Sequence, residues 1–337
     1  MAFLIQSNDA TELWSKAMYS LMNNGQSTES RSGETNESLH VLLQLDNPRE
    51  KWVTNRFPPM NIAFALAELI WILNGSDKSK IINFWNQNLR EYAEDSENKE
   101  HYHGAYGKRL RISFEIDQLE RAYHSLKEKP SNRQTVMLIW NPARDMPLDN
   151  GSEQSRDIPC NICSLLKIRD NRLEWTQIMR SNDIFRGLPY NLVQFTGIQE
   201  IIAGWLNVEV GTYNHYSDSL HLYENDRNKV KINSVENFPP NNDSLSISKQ
   251  ESDIIIKNTF ERMVNLLDDS ISIDQVEKLA YLNSKRQSYN NMMFVISAYV
   301  AQKRKFKTLV NRLIESCTNE LYKQMWRNWE VENMKNS

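Results

Sequence analysis

Residues 60–75, MNIAFALAELIWILNG, are apolar almost without interruption and end in Asn-Gly. A helix that is apolar on every side has to be surrounded by protein, and glycine past its end is the usual left-handed stop. This one stretch demands a core thick enough to bury a whole helix. A chain of 337 residues, 40% of them apolar, has the material for it. One carboxylate, Glu68, sits inside the stretch, and a charge there is costly unless it is paired or used. Residues 191–207, NLVQFTGIQEIIAGWLN, repeat the theme as a second, central helix. Neither stretch supplies the run of about eighteen apolar residues that a membrane span needs.

Charge and cysteine content narrow the function classes. The net charge of -3 gives no global basic field to attract nucleic acid, and no such partner is expected. The one basic run, KRKFK at 303–307, reads as the solvated face of a helix. Three cysteines are too few for a disulfide framework. Cys160 and Cys163 have C-x-x-C spacing, but no second pair or neighbouring histidines complete a zinc site, so no metal is expected. Bridge-free thiols suit a reducing compartment. The start, MAFLIQSNDATELW, lacks a basic segment followed by a long apolar one, so a cytoplasmic location is the expectation.

Along the chain, residues 9–23 read as a helix capped by Asp9 or Thr11, and residues 24–36 as a polar loop. LHVLLQL at 39–45 and RQTVMLIWNP at 133–142 read as strands, the second stopped by proline. Residues 164–181 read as a hairpin turning at Asp-Asn. A strand and loop follow the 191–207 helix. NFPPNNDSLSIS at 237–248 looks like a boundary, and residues 251–330 read as mainly helical, capped at Ser252/Asp253 and Ser272. Strands and helices together give a mixed α/β (α+β) class, with no internal repeat.

Several side chains suggest chemistry. Cys160 stands behind Pro159 at the mouth of a strand, and a lone cysteine is a nucleophile only as thiolate. Arg180 and Ser181, adjacent after a strand, suit a phosphate: a guanidinium fork and a hydroxyl donor. Asn191 offers the donor and acceptor that a uracil or amide edge requires. His221 and Tyr223 share one face of a strand at i, i+2 and suit a sugar hydroxyl. Each alone reads most simply as structural; together and in this order they are specific.

The order is Pro159-Cys160, then Arg180-Ser181-Asn182-Asp183, Gly187-Leu188-Pro189-Tyr190-Asn191, and His221-Leu222-Tyr223. It resembles the signature of the thymidylate synthase family, which includes the pyrimidine-nucleotide hydroxymethylases. Upstream, SRSGETNES resembles the family's phosphate loop with Arg31, AELIWILNG its glutamate-bearing helix with Glu68, and HGAYGKRLR its Gly-x-x-Tyr-Gly segment with Tyr106. The resemblance covers roughly residues 10–230. It implies a sandwich around a large mixed sheet, with a catalytic domain over residues 1–237 and a helical C-terminal extension over 238–337. It also implies a homodimer, since Arg133 matches an arginine given to the partner's phosphate. By the same resemblance, Cys160 adds to C6 of a pyrimidine nucleoside monophosphate, and C5 then takes a one-carbon unit from 5,10-methylenetetrahydrofolate. Glu68 handles protons with Tyr106 and Asn161 beside the reaction. Arg31, Arg133, Arg180 and Ser181 hold the phosphate, Asn191 the base, and His221 and Tyr223 the sugar. Asp183 binds the pterin, and Gly187, Leu89 and Arg186 line the folate.

The departures from the family pattern share a direction. The tryptophan that shields the synthases' methylene intermediate falls at Leu89, and the leucine against the folate at Arg186. The histidine after the nucleophile is Asn161, the second interface arginine is Gln134, and an aspartate before the His-x-Tyr strand is Ser219. The synthases' closing Gly-Tyr-x-Pro strand and apolar tail have no counterpart past residue 237. A wetter site lets water add to the methylene group, which favours hydroxymethylation of C5 over reductive methylation. A true thymidylate synthase and a non-catalytic nucleotide- or RNA-binding homologue are the alternatives. Asn191 favours dUMP or UMP, and the altered network near the 4-position leaves dCMP or CMP open.

Overall fold

A computed structural model of the chain describes residues 3–31, 33–90, 100–232 and 237–335. The chain divides into two compact units, each assembled from separate stretches of sequence.

The first unit comprises Met1–Met60, Ile116–Trp140 and Pro159–Asn237. Its strands are β1 (Phe3–Ser7), β2 (Gln26–Ser30), β3 (Gly33–Leu45), β4 (Arg56–Phe57), β5 (Val136–Leu138), β6 (Asn161–Arg169), β7 (Arg172–Met179), β8 (Asn182–Asp183), β9 (Glu209–Tyr223) and β10 (Lys231–Ile232). Eight form one mixed sheet in the order β1-β3-β9-β7-β6-β5, with β2 added on β3 and β8 on β9. β4 and β10 pair separately. The β6–β7 hairpin turns through Asp170 and Asn171, both at positive φ (48° and 57°), as a tight two-residue turn requires and as the Asp-Asn pair predicts.

Residues 24–36 are not a loop. Gln26–Ser30 and Gly33–Leu45 form an antiparallel hairpin with Ser30 opposite Gly33. Its outer end is exposed on both faces, so no apolar alternation marks it, while backbone pairing proceeds regardless of side-chain polarity. The central helix Leu188–Leu206 begins with proline in its first turn and stops at Asn207, which takes the left-handed conformation at φ 54°. Buried along nearly its whole length, it packs on β7 and β9 and against helices Ala10–Asn24 and Gln118–Glu128.

The second unit comprises Asn61–Glu115, Asn141–Ile158 and Phe238–Ser337. At its centre is helix Ile62–Leu73, in which every residue is buried except Glu68, half-buried. Asn61 caps its start by accepting from the Phe64 N–H at 3.0 Å. Helices Tyr106–Arg111, Lys249–Asn265, Gln287–Lys303 and Glu320–Lys335 pack against it. Helix Tyr106–Arg111 comes close at Gly107, where a Cβ would lie 2.4 Å from the Ile72 carbonyl oxygen.

Residues 238–248 form an extended strap within this unit. Asn241, Asp243, Leu245 and Ile247 alternate as its buried positions, and Asn291 donates to both Asp243 oxygens at 3.0 and 3.1 Å. Two details differ from the sequence reading. Ser248, not Ser252 or Asp253, caps helix Lys249–Asn265, and Ser252 is buried inside it; Ser272 does form a full capping box. KRKFK is a corner rather than a helical face: Lys303 ends one helix, Lys305 is left-handed at φ 62°, and Lys307 starts the next.

Candidate active site

Strand pairing places the first unit's reactive residues. Asn161 opens β6 opposite Met179 of β7, and one step outward the Arg180 N–H donates to the Cys160 carbonyl at 2.9 Å. Two residues twenty apart in sequence thereby stand side by side. The Arg180 Nη2 lies 4.0 Å from the Cys160 Sγ, its Nε donates to the Pro159 carbonyl at 3.1 Å, and its guanidinium lies 5.4 Å from the centre of the Trp140 ring. Cys160 is half-buried; Cys163 and Cys317 are buried.

β8 runs parallel to β9 and sets Asp183 opposite His221. Ser181 Oγ approaches His221 Nδ1 at 3.4 Å, and the His221 and Tyr223 rings meet edge to face at 5.2 Å. Burial holds the His221 imidazole below the usual histidine range, opposed by the neighbouring Asp183 charge. Asp183 is pushed up, also by burial. Its Oδ1 accepts from the Phe185 and Arg186 N–H groups at 2.8 and 2.7 Å, whereas its buried Oδ2 has no hydrogen-bond partner. Gly187 leaves room for this turn, since a Cβ there would sit 3.2 Å from both Asn182 Oδ1 and the Asp183 carbonyl. Asn191, in the first turn of the central helix, donates its Nδ2 to Gln194 Oε1 at 3.0 Å.

Arg186 is 39% exposed; its Nε donates to Asp226 at 2.5 Å, and its guanidinium lies 5.1 Å from the centre of the Tyr223 ring. Ser219 donates to Glu37 of β3. Arg31 is exposed at the β2–β3 turn, and Arg133 and Gln134 are exposed just ahead of β5. Glu68, Tyr106 and Leu89 belong to the second unit, all half-buried: Glu68 in the central apolar helix, Tyr106 at the start of helix Tyr106–Arg111, and Leu89 ending a short 3-10 turn.

Beneath the Cys160–Arg180 pair lie two buried polar networks that sequence reasoning missed. In one, Trp175 Nε1 and Ser164 Oγ both donate to Gln177 Oε1, at 3.0 and 2.7 Å, while Gln177 Nε2 donates to Asn161 Oδ1 and to the Cys163 carbonyl at 2.9 Å. In the other, Asn182 Nδ2 meets His215 Nε2 at 2.7 Å, and His215 Nδ1 meets the Tyr213 hydroxyl at 3.0 Å. Their only sequence signal is a polar residue at an inward strand position, such as Gln177 between Trp175 and Met179.

Among the described residues, no group of three or more His, Cys, Asp or Glu side chains is placed to hold a metal ion, and no helix is long and apolar enough to cross a membrane.

The family model for thymidylate synthase matches residues 12–268. The chain belongs to the thymidylate synthase family. The large mixed sheet with its helical C-terminal region is that family's fold. A deoxyuridylate hydroxymethyltransferase of Bacillus phage SP01 is 30% identical over 235 residues, covering 66% of this chain and 60% of that protein. A protein of the same description from Pseudomonas phage M6 is 30% identical over 233 residues, covering 67% and 63%. A putative thymidylate synthase of Methanosarcina acetivorans is 27% identical over 234 residues, covering 68% and 93%. The matched region thus spans about three-fifths of each phage relative's length.

Proposed function

We propose that this thymidylate synthase family member transfers a one-carbon unit to C5 of dUMP and leaves it as a hydroxymethyl group. The observation that carries the reading is the Cys160–Arg180 pair: a half-buried thiol with a guanidinium 4.0 Å from its sulfur, beside Ser181 and the His221–Tyr223 ring pair. A cation beside the sulfur favours the thiolate. That thiolate adds to C6, and the C5=C6 electron pair makes C5 the nucleophile toward the one-carbon unit; loss of the C5 proton accompanies departure of the one-carbon carrier, water adds to the methylene left on C5, and the electron pair returning to C5=C6 releases the thiolate. Arg180 and Ser181 hold the 5′-phosphate together with Arg31. His221 and Tyr223 hold the sugar hydroxyl, Asn191 reads the base, and Glu68 handles protons with Tyr106.

The co-substrate supported by this reading is 5,10-methylenetetrahydrofolate, which supplies one carbon and departs as tetrahydrofolate when water provides the hydroxyl. The fit rests on Asp183, whose buried Oδ2 has the Arg186 Nε at 3.9 Å but no hydrogen-bond donor, and is the acceptor that a pterin N–H edge satisfies. Arg186 supports the hydroxymethyl outcome. It is a charged, part-exposed side chain paired with Asp226 where the synthases place leucine, and Leu89 stands where they place tryptophan. Both changes reduce the exclusion of water. The two phage relatives named for deoxyuridylate support dUMP as the acceptor.

The working form is a homodimer joined through the open face of the sheet. Leu4, Leu42, Tyr216, Ile178 and Leu138 line up across it, with buried Cys163 paired between the last two, and Arg133 flanks the β5 edge. No charge-complementary nucleic-acid surface is part of this reading, and a cytoplasmic setting fits its substrates.

Mass spectrometry after incubation with methylenetetrahydrofolate and, separately, dUMP, dCMP, UMP and CMP tests the reading. The expected product is 5-hydroxymethyl-dUMP with tetrahydrofolate. A methyl product with dihydrofolate makes the chain a thymidylate synthase in activity as well as family. Absence of product from a folded protein that still binds nucleotide makes it a binding homologue.

A further inference from the structure

We propose that Gln177 is a positioning residue that fixes the Asn161 amide as a hydrogen-bond donor facing the base's 4-position, and so selects uracil over cytosine. The inference rests on the reading of Cys160 as the nucleophile toward a pyrimidine.

The polarity of the network follows from its two ends. An indole N–H can only donate, and Trp175 Nε1 lies 3.0 Å from Gln177 Oε1. A backbone carbonyl can only accept, and the Cys163 carbonyl lies 2.9 Å from Gln177 Nε2. The Gln177 amide therefore has one orientation, and the Ser164 hydroxyl at 2.7 Å reinforces it by donating to the same oxygen. Since Gln177 presents N–H to Asn161, Asn161 has to answer with Oδ1. Its other end, Nδ2, is then a donor that cannot turn away.

That donor is buried and without a hydrogen-bond partner, on a residue that is 0% exposed. Gln177 and Ser164 are equally buried, so water does not compete for the clamp. A buried amide N–H left unpaired is costly, and it points to an acceptor brought by a ligand. Asn161 directly follows Cys160 in the chain, so its amide stands within one residue of the thiol that attacks C6. Of the two pyrimidines, uracil carries a 4-oxo acceptor and cytosine a 4-amino donor. A fixed N–H pairs with the first and opposes the second. As the S–C6 bond forms, the C5=C6 electron pair shifts to C5 and is shared with the 4-oxygen as an enolate. A donor already in place strengthens its hold there at no reorientation cost.

The test is equilibrium binding of dUMP and dCMP to the full chain by calorimetry, on the unmutated protein and two variants. Unmutated protein is expected to prefer dUMP by about tenfold or more. Gln177→Glu keeps acceptors for Trp175 and Ser164 but has no N–H for Asn161. Asn161 then turns its Nδ2 inward and presents its oxygen, and the preference moves toward dCMP. Gln177→Leu removes the clamp and brings the ratio of the two affinities toward one. If either variant fails to fold, Trp175→Phe combined with Ser164→Ala releases the same glutamine oxygen and is expected to lower the ratio likewise. An unchanged dUMP:dCMP ratio in folded variants, or a preference for dCMP in the unmutated protein, overturns the inference and leaves the one-carbon reading standing. Failure of the unmutated protein to bind either nucleotide overturns both.

Discussion

At the scale of single residues, the three thiols are separated by burial and by one cation. Burial pushes the Cys163 thiol up, and pushes Cys317 up to about 12. Cys160 is half-buried and has Arg180 beside its sulfur. Iodoacetamide near neutral pH is therefore expected to alkylate Cys160 first, with the other two at least about tenfold slower. Arg180→Gln is expected to slow Cys160 by roughly tenfold, since it removes the cation beside the sulfur. Peptide mass mapping over a time course reads both effects; comparable rates at all three thiols would remove Cys160 from its special place. Cys160, Arg180, Asn191, His221 and Tyr223 stand out as candidates in the sequence because their spacing forms a pattern. Gln177 does not, because its meaning depends on which residues the β6–β7 register sets around it. Trp175, Ser164 and Asn161 converge on Gln177 only after the strands have paired.

At the scale of elements, the sheet carries one covered face and one open one. Registered pairs run straight across the open face: Leu4 with Leu42, Leu42 with Tyr216, Tyr216 with Ile178, Ile178 with Cys163, and Cys163 with Leu138. At the ends of this row Leu4 is 56% and Leu138 44% exposed. A row of this kind is costly to leave in water and suits a second copy of the same face. Light scattering is expected to give twice the chain mass of 39.6 kDa, and Ile178→Lys to weaken the dimer by roughly a hundredfold. A monomer in the unmutated protein would rule out this interface. Elements with strong periodicity were readable in advance: helix Ile62–Leu73 from its unbroken apolar run, and the β6–β7 hairpin from Asp170-Asn171. The β2–β3 hairpin was not, since QSTES is exposed nearly throughout and has no face to advertise. The KRKFK corner was missed for a related reason. Charge says that a segment is solvated, but Lys305 at positive φ is what breaks the helix there.

At the scale of the whole molecule, two titratable groups, fully buried His215 in the first unit and half-buried Asp157 in the second, act on stability with opposite signs. Burial pushes His215 in the first unit down to about 3, so it stays neutral while the unfolded histidine titrates near 6.5. Below about pH 6.5 the unfolded chain takes up a proton that the folded chain refuses, and stability is lost as pH falls through that window. Asp157 in the second unit accepts from the Gly104 N–H at 2.9 Å, yet its burial pushes it up to about 6, against roughly 3.9 when unfolded. Between about pH 4 and 6 the folded chain keeps a proton that the unfolded chain has released. Its contribution is therefore present at the acid end and lost as pH rises to 6. The two slopes offset each other in part. Asp157→Asn keeps an acceptor for the Gly104 N–H but removes the titration, leaving the His215 slope exposed. Urea unfolding midpoints measured across this range are expected to rise more steeply with pH in the variant than in the parent. Relative to the parent, the variant gains about 2 kcal/mol from pH 4 to 6. A variant curve parallel to the parent's would mean that Asp157 ionises in the folded chain as it does in the unfolded one. The acid limb would then follow His215 and the remaining carboxylates alone.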